Sequence, residues 1–287
     1  MVRTYFPKTL SEALKILRDD PAAMPVAGGT DVMVAKKPAE AFIYISSVPE
    51  IKETCMKGQD LFIGAGEVYR DLLEEPDIPE LLKAAMKEVA SPAIRNAGTL
   101  AGNICNASPA GDTLPPLYCM DAEVLLSHME ADGSVKERRA RVCEFITGIR
   151  KLDIRPGELV TAVIIPGVRE IRGMKMYYEK VGARKSEAIS KLSFAGLCKR
   201  EEGDSAVADI RFAFGSVGIT VVRRPEEEQK LKGLSGDAYR EAADSVVKDL
   251  SEILKPIDDQ RSTAKYRKQV SLNILSDFLG KAGEGSL

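Results

Sequence analysis

One histidine, His128, is all the imidazole available to this 287-residue chain. It lies beside Met129-Glu130-Ala131-Asp132-Gly133, which reads as a solvated turn, so a histidine-based catalytic triad is excluded. The five cysteines, Cys55, Cys105, Cys119, Cys143 and Cys198, are odd in number and scattered, with no C-x-x-C pair. That pattern is neither a disulfide framework nor a metal-cluster spacing, so an intrinsic metal centre is not expected. No excess of one charge sign exists, since 41 basic residues face 43 acidic ones for a net charge of −2. A dedicated nucleic-acid or anionic-membrane surface is therefore not expected. No apolar run is long enough to span a bilayer, and the N-terminal Met1-Val2-Arg3-Thr4-Tyr5-Phe6-Pro7 lacks the apolar stretch of a signal peptide. A cytoplasmic protein is expected. The G-x-G-x-x-G of a Rossmann unit and the lysine of a P-loop are missing as well.

What is present is an ordinary globular composition, 44% hydrophobic and 29% charged, at a length that accommodates two domains. Leu10, Leu14 and Leu17 form a helical stripe, and Thr9 followed by Glu12 is a capping box. Met24-Pro25-Val26-Ala27 reads as extended, Gly28-Gly29-Thr30-Asp31 as a turn, and Val32-Met33-Val34-Ala35 as a helix start. A strand, a paired-glycine turn and a helix N-terminus gather backbone N–H groups around one point, which suits a phosphate or pyrophosphate. Residues 94–112 carry a second run of small and polar residues, with Gly98, Gly102 and Gly111 among Thr99, Asn103, Asn106, Ser108 and Asp112. Neither helical nor strand periodicity persists across it. It is either a stretch that wraps a polar, phosphate-bearing cofactor or a long glycine-rich turn.

Further along, Leu114–Met120 reads as a short helix with Asp112 as its N-cap. Ala122–Ser127 and Ser134–Arg139 read as a hairpin around Ala131-Asp132-Gly133, and Gly157–Pro166 as a buried strand. Strands at Met174–Tyr178, Ala188–Lys199 and Val207–Val217 precede helices at Asp237–Ile253 and Ala264–Leu279. The expected division is 1–169, with subdomains of about 1–55 and 56–169, followed by 170–287.

Val26-Ala27-Gly28-Gly29-Thr30-Asp31, followed later by Thr99-Leu100-Ala101-Gly102-Asn103-Ile104 and Ala107-Ser108-Pro109-Ala110-Gly111-Asp112, resembles the FAD-binding subunit of the molybdenum hydroxylases. That group includes the xanthine, carbon monoxide and nicotinate dehydrogenases. The resemblance continues through Pro156-Gly157-Glu158-Leu159, Tyr178-Glu179-Lys180-Val181, Arg184-Lys185, Ile189-Ser190, Phe214-Gly215-Ser216-Val217 and Ser262-Thr263-Ala264-Lys265-Tyr266-Arg267. It covers essentially the whole chain in order, with Ala101 standing where the family usually has glycine.

The resemblance implies an α+β fold. A two-subdomain FAD-binding domain of the vanillyl-alcohol-oxidase (PCMH) type would be followed by a small C-terminal domain with a three-stranded sheet and a helical bundle. It implies that Pro25, Val26, Ala27, Gly28, Gly29, Thr30, Asp31 and Val32 form the loop whose amides hold the FAD pyrophosphate. Thr99, Leu100, Ala101, Gly102 and Asn103 would complete that grip. Asn106 and Asp112 would bond toward the ribityl and pyrimidine part, Val160 would reach the cofactor through its backbone, and Lys180 or Lys191 would lie near the isoalloxazine. No residue of this chain is implied in substrate chemistry. A larger partner subunit would carry the molybdenum cofactor, and a small partner would carry two-iron iron–sulfur clusters. The flavin would pass electrons to NAD+ or another acceptor. The alternatives are a self-sufficient flavoenzyme of the same fold, such as a UDP-N-acetylmuramate dehydrogenase or an oxidase, and a non-catalytic flavin-binding module.

Overall fold

A computed structural model describes residues 2–35, 39–201 and 206–287. They form two compact units. The first runs to residue 78 and adds 89–108 and 121–168, while the second takes 79–88 and 109–120 together with 169–287.

In the first unit the helix Leu10–Asp19 forms where the capping box predicts it. The Thr9 hydroxyl accepts from the Glu12 amide at 3.1 Å, and the Glu12 carboxylate accepts from the Lys8 amide at 2.6 Å. Its Ala13, Leu14 and Leu17 pack with Ala41, Ile43, Ile45, Val48 and Ile51. Three parallel strands lie in this part: Ala41–Tyr44 at the centre, flanked by Arg3–Tyr5 and Met24–Val26. A five-stranded antiparallel sheet follows, in the order Thr54–Lys57, Asp60–Gly64, Leu159–Ile165, Glu123–Met129, Val135–Arg141. All seven residues of its central strand, Leu159–Ile165, are buried, which explains the unbroken apolar run there. The predicted hairpin is present, with Leu126 opposite Arg138 and Gly133 at φ +85° in the turn. His128 belongs to the strand rather than the turn. It lies opposite Lys136, and its Nε2 sits 3.0 Å from a Glu130 carboxylate oxygen.

The second unit holds the antiparallel strands Lys175–Val181, Leu192–Arg200 and Val207–Gly215 in that order. A fourth strand, Val222–Arg223, pairs with the outer edge of Val207–Gly215. The sequence predicts three strands, and a two-residue strand is too short to leave a periodic signal. The helices Gly236–Ile253 and Ala264–Glu284 pack on one another, and the latter also packs on the sheet. Phe194, Phe212, Phe214 and Phe278 are fully buried between them, with ring centroids 5.0–6.5 Å apart. Among the described residues no helix is long and apolar enough to cross a membrane.

Candidate functional site

In the first unit the two small-residue segments meet. The turn after the strand Met24–Val26 carries Gly29 at φ +69°, a conformation glycine adopts at little cost. A Cβ placed on Gly28 would lie 1.8 Å from the Ala97 carbonyl oxygen and 3.0 Å from the Gly98 amide nitrogen, so the two backbones touch there. The turn leads into the helix Val32–Ala35, where the Met33 amide bonds Gly29 O and the Ala35 amide bonds Asp31 O. Earlier amides of that turn stand at the start of the helix, without intrahelical acceptors.

Residues 94–112, which show no periodicity in the sequence, contain the helix Leu100–Asn106. Its alternation of small and polar residues hides it, because only Leu100, Ala101 and Ile104 are buried. Thr99 is its N-cap, and its hydroxyl accepts from the Gly102 amide at 2.9 Å. The Gly102 amide is therefore occupied, which leaves Leu100 and Ala101 as the first-turn amides beyond any intrahelical bond. Gly102 is exposed, while the Leu100 and Ala101 side chains are buried, so those two can offer a ligand only their backbones. The preceding turn is anchored by a Tyr69 amide bond to Gly98 O at 3.0 Å and by an antiparallel bridge between Val68 and Thr99.

Asn106 closes this helix. Its carbonyl accepts from Arg150 Nη1 at 2.9 Å, and the Arg150 amide bonds Ala107 O at 3.0 Å, with Ala107 at φ +44°. Arg150 has no part in the sequence reading, because it lies 44 residues from Asn106 in a hairpin with no motif of its own. Val160 sits in the central strand, opposite Leu126, and the pairing register shifts between Val160 and Ala162. Such an irregularity disrupts the ladder locally beside Val160. The helix Leu100–Asn106 packs on this same strand.

In the second unit Asp112 does something other than the predicted capping. The helix Leu114–Cys119 has Thr113 as its N-cap and no side-chain cap bond. The Asp112 carboxylate instead accepts from Lys180 Nζ at 2.7 Å through one oxygen and from the Ser190 hydroxyl at 2.5 Å through the other. Lys180 Nζ also donates to Glu88 O at 2.7 Å, and the Tyr178 hydroxyl donates to Asp112 O at 3.4 Å. The Lys180 and Asp112 side chains are only 6% and 10% exposed, which makes them a desolvated ion pair. Burial pushes the Asp112 carboxyl above the usual carboxylate range, against the opposing charge and hydrogen bonds of Lys180 and Ser190. Burial likewise raises the Tyr178 phenol well above its ordinary value, helped by the Asp112 charge. Lys191 lies apart from this pair, its ammonium 5.3 Å from the Tyr266 ring centroid. Ser190, Tyr178 and Glu88 complete the cluster. Tyr178 and Ser190 enter the sequence reading only as letters of the family motifs and Glu88 not at all, and at 24 residues or more from Asp112 nothing in the sequence joins them to it.

The donor set of the first unit suits a diphosphate. Two turns with helix-start amides abut at Gly28 and Ala97, and Gly102 is exposed with no side chain over the first turn of its helix.

Comparison with known proteins agrees with this chemistry. Residues 1–168 match the FAD binding domain in molybdopterin dehydrogenase, and residues 177–282 match the CO dehydrogenase flavoprotein C-terminal domain. The chain is 29% identical over 273 residues to the glyceraldehyde dehydrogenase medium chain of Sulfolobus acidocaldarius, covering 92% of each. It is 31% identical over 216 residues to the nicotinate dehydrogenase FAD-subunit of Eubacterium barkeri, covering 68% of this chain and 70% of the relative. Carbon monoxide dehydrogenase from Hydrogenophaga pseudoflava shares the fold, with a TM-score of 0.87 at 24% identity over 99% of this chain and 98% of that one. The α+β architecture expected from the sequence is thus the one found, and the chain belongs to the FAD-binding subunits of the molybdopterin-dependent dehydrogenases, an oxidoreductase family.

Proposed function

We propose that this chain is the electron-transferring flavin subunit of a multi-subunit molybdenum hydroxylase, taking electrons from iron–sulfur clusters of a partner and passing them to NAD+ or another acceptor. The observation that carries the reading is the meeting of the two amide-bearing turns at Gly28 and Ala97, inside the segment that matches an FAD-binding family. Bound FAD accepts two electrons and releases them singly or together, so the protein's task is to hold and tune it.

The loop Pro25 to Val32 holds the pyrophosphate through the amides that follow Pro25, which has none of its own. Thr99 to Asn103 complete the grip through the Leu100 and Ala101 amides, since Thr99 already occupies those of Gly102 and Asn103. Asn106 is fixed by Arg150 at the end of the same helix and turns toward the ribityl chain, while Val160 reaches the cofactor through its backbone beside the register shift. Asp112 and its partner Lys180 serve the pyrimidine edge of the flavin, and Lys191 is the alternative cation there. A positive group at that edge favours the reduced, anionic ring. The five cysteines lie in separate stretches of the chain, and the clusters are therefore assigned to a small iron–sulfur subunit. A large subunit carries the molybdenum cofactor and the organic substrate, in keeping with relatives named as medium chains and FAD subunits. The subunit works in the cytoplasm.

The test uses the full chain purified alone. It takes up FAD in a near one-to-one ratio and does not oxidise purines, carbon monoxide or nicotinate. Gly102→Val puts a branched side chain on this exposed turn, with its Cβ 2.9 Å from Thr99 Oγ1 so that the threonine must shift, and abolishes FAD uptake. Full occupancy in Gly102→Val removes residues 99–103 from the site, and hydroxylase activity of the chain by itself rejects the assignment.

A further inference from the structure

Arg267 stands one turn into the long helix Ala264–Glu284 and is 3% exposed. An arginine in the interior needs acceptors for its donors. Arg267 Nη1 donates to Lys191 O at 2.7 Å and to Ser216 O at 3.1 Å, and Nη2 donates to the Asp259 carboxylate at 2.6 Å. Lys191 immediately precedes the strand Leu192–Arg200, and Ser216 immediately follows the strand Val207–Gly215. One guanidinium therefore ties together two neighbouring strands at one end of the sheet.

The tie continues. The Ser216 hydroxyl donates to Ser190 O at 3.3 Å, and the Ser216 amide donates to Pro109 O at 2.9 Å. Ser216 has φ +64°, a strained conformation for a residue with a Cβ, and these bonds hold it there. Ser190 in turn donates to Asp112. Arg267 is thus joined to the Asp112–Lys180 pair through the Ser190–Lys191 peptide and through Ser216. On its other side Asp259 is pre-set to receive it. The Arg261 and Ser262 amides donate to the same Asp259 carboxylate at 2.8 and 3.1 Å. Burial raises that carboxyl, but these amides and the Arg267 guanidinium outweigh it and bring it down to about 2, so it is ionised at working pH. Arg267 Nε is buried with no partner among the described residues. A fold seeking only stability would fill so enclosed a position with an apolar side chain, since ion pairs of this kind add little over such a residue.

We propose that Arg267 is a positioning residue that fixes the Ser190–Lys191 segment, and through it the Asp112–Lys180 pair, for contact with the flavin ring. The proposal rests on the reading that Asp112, Lys180 and Lys191 serve the flavin. It assigns Arg267 no contact with the cofactor. The planar fork is what the arrangement requires, because Nη1 serves the two carbonyls while Nη2 reaches the Asp259 carboxylate, and the single nitrogen of a lysine cannot hold all three acceptors in that fixed geometry.

The experiment compares the full chain with Arg267→Gln, Arg267→Lys and Asp259→Asn. Three readings are taken: the FAD dissociation constant, the visible circular dichroism and midpoint potential of the bound flavin, and the melting temperature without FAD. Arg267→Gln weakens FAD binding by about tenfold, the loss expected when charge-assisted bonds disappear, and changes the flavin dichroism and potential. Arg267→Lys recovers part of both, and Asp259→Asn shifts them in the same direction by less. Asp209→Asn is the control, since it removes ion pairs to Arg211 and Lys232 on the same sheet, with Asp209 opposite Lys199 and away from Ser193–Gly215. It lowers the melting temperature and leaves the flavin signals alone. If the Arg267 variants behave like this control, Arg267 is only a structural tie and the proposal fails. If Arg267→Gln does not fold, Arg267→Lys and Asp259→Asn decide on the same signals. A wild-type chain that takes up no FAD defeats the underlying reading itself, and the proposal with it.

Discussion

The two units present their candidate residues by opposite means. In the first, the acceptor-seeking groups are backbone amides, brought together because glycine at 28 lets its turn touch the Ala97 backbone. Side chains there mostly shape the turn, as Thr99 does when it caps the helix. In the second, the groups are polar side chains, mostly buried: the charged Asp112, Lys180, Asp259 and Arg267, linked through Ser190 and Ser216. Amides in a glycine turn cost little to keep facing solvent. A buried carboxylate–ammonium pair is tolerated only while both partners remain. The first unit should therefore fail when volume is added, and the second when charge is removed.

Removing charge has the largest expected effect. Asp112→Ala leaves the Lys180 ammonium buried with only the Glu88 carbonyl. Loss of one partner of a buried pair costs about 3–5 kcal/mol, against about 1 kcal/mol for the helix cap that the sequence suggests. Urea unfolding of the FAD-free chain separates the two, and a cost near 1 kcal/mol would mean that the pair is not desolvated in solution. The double variant Asp112→Leu/Lys180→Met should recover most of the loss, because it removes both charges together.

The same contrast decides which features are legible in the sequence. Amide-presenting turns leave a local signature, so Gly28-Gly29-Thr30-Asp31 and residues 94–112 stand out by composition alone, and the fold brings them into contact. The helix inside the second stretch does not, because its buried residues are too few for a stripe. The paired strands and long helices of the second unit are legible from periodicity, to within a few residues at their ends. Its polar network is not. Asp112 reads as a cap because it precedes a helix, and only the antiparallel register that places Lys180 opposite Ser193 and Lys191 next to Val181 shows where its carboxylate goes. Arg267 appears only as the last letter of a family motif, and its two carbonyl acceptors lie 51 and 76 residues away.

Added volume comes next in size. Gly28→Ala forces a methyl to within 1.8 Å of the Ala97 oxygen and 2.4 Å of its carbonyl carbon, and both obstacles are backbone that no rotamer change can move. One turn must shift, at about 3 kcal/mol, the upper part of the usual range for overpacking. FAD occupancy should fall with it, since the two amide sets no longer meet. Wild-type stability in Gly28→Ala, measured by thermal melting, would show that the turns do not touch in solution and would break the comparison from its first-unit side.

The smallest effect tests whether side chains in the first unit are as secondary as the comparison holds. Thr99→Ala removes the hydroxyl that caps the helix Leu100–Asn106 and should cost about 1 kcal/mol, with Thr99→Ser restoring it. The consequence for FAD is the sharper measurement. Thr99 occupies the Gly102 amide, so if the Leu100 and Ala101 amides hold the pyrophosphate, Thr99→Ala should weaken FAD binding only as far as the first turn frays, far less than Gly102→Val. An equally complete loss would mean that the threonine hydroxyl itself carries the ligand, and the first unit would then depend on a side chain as the second does.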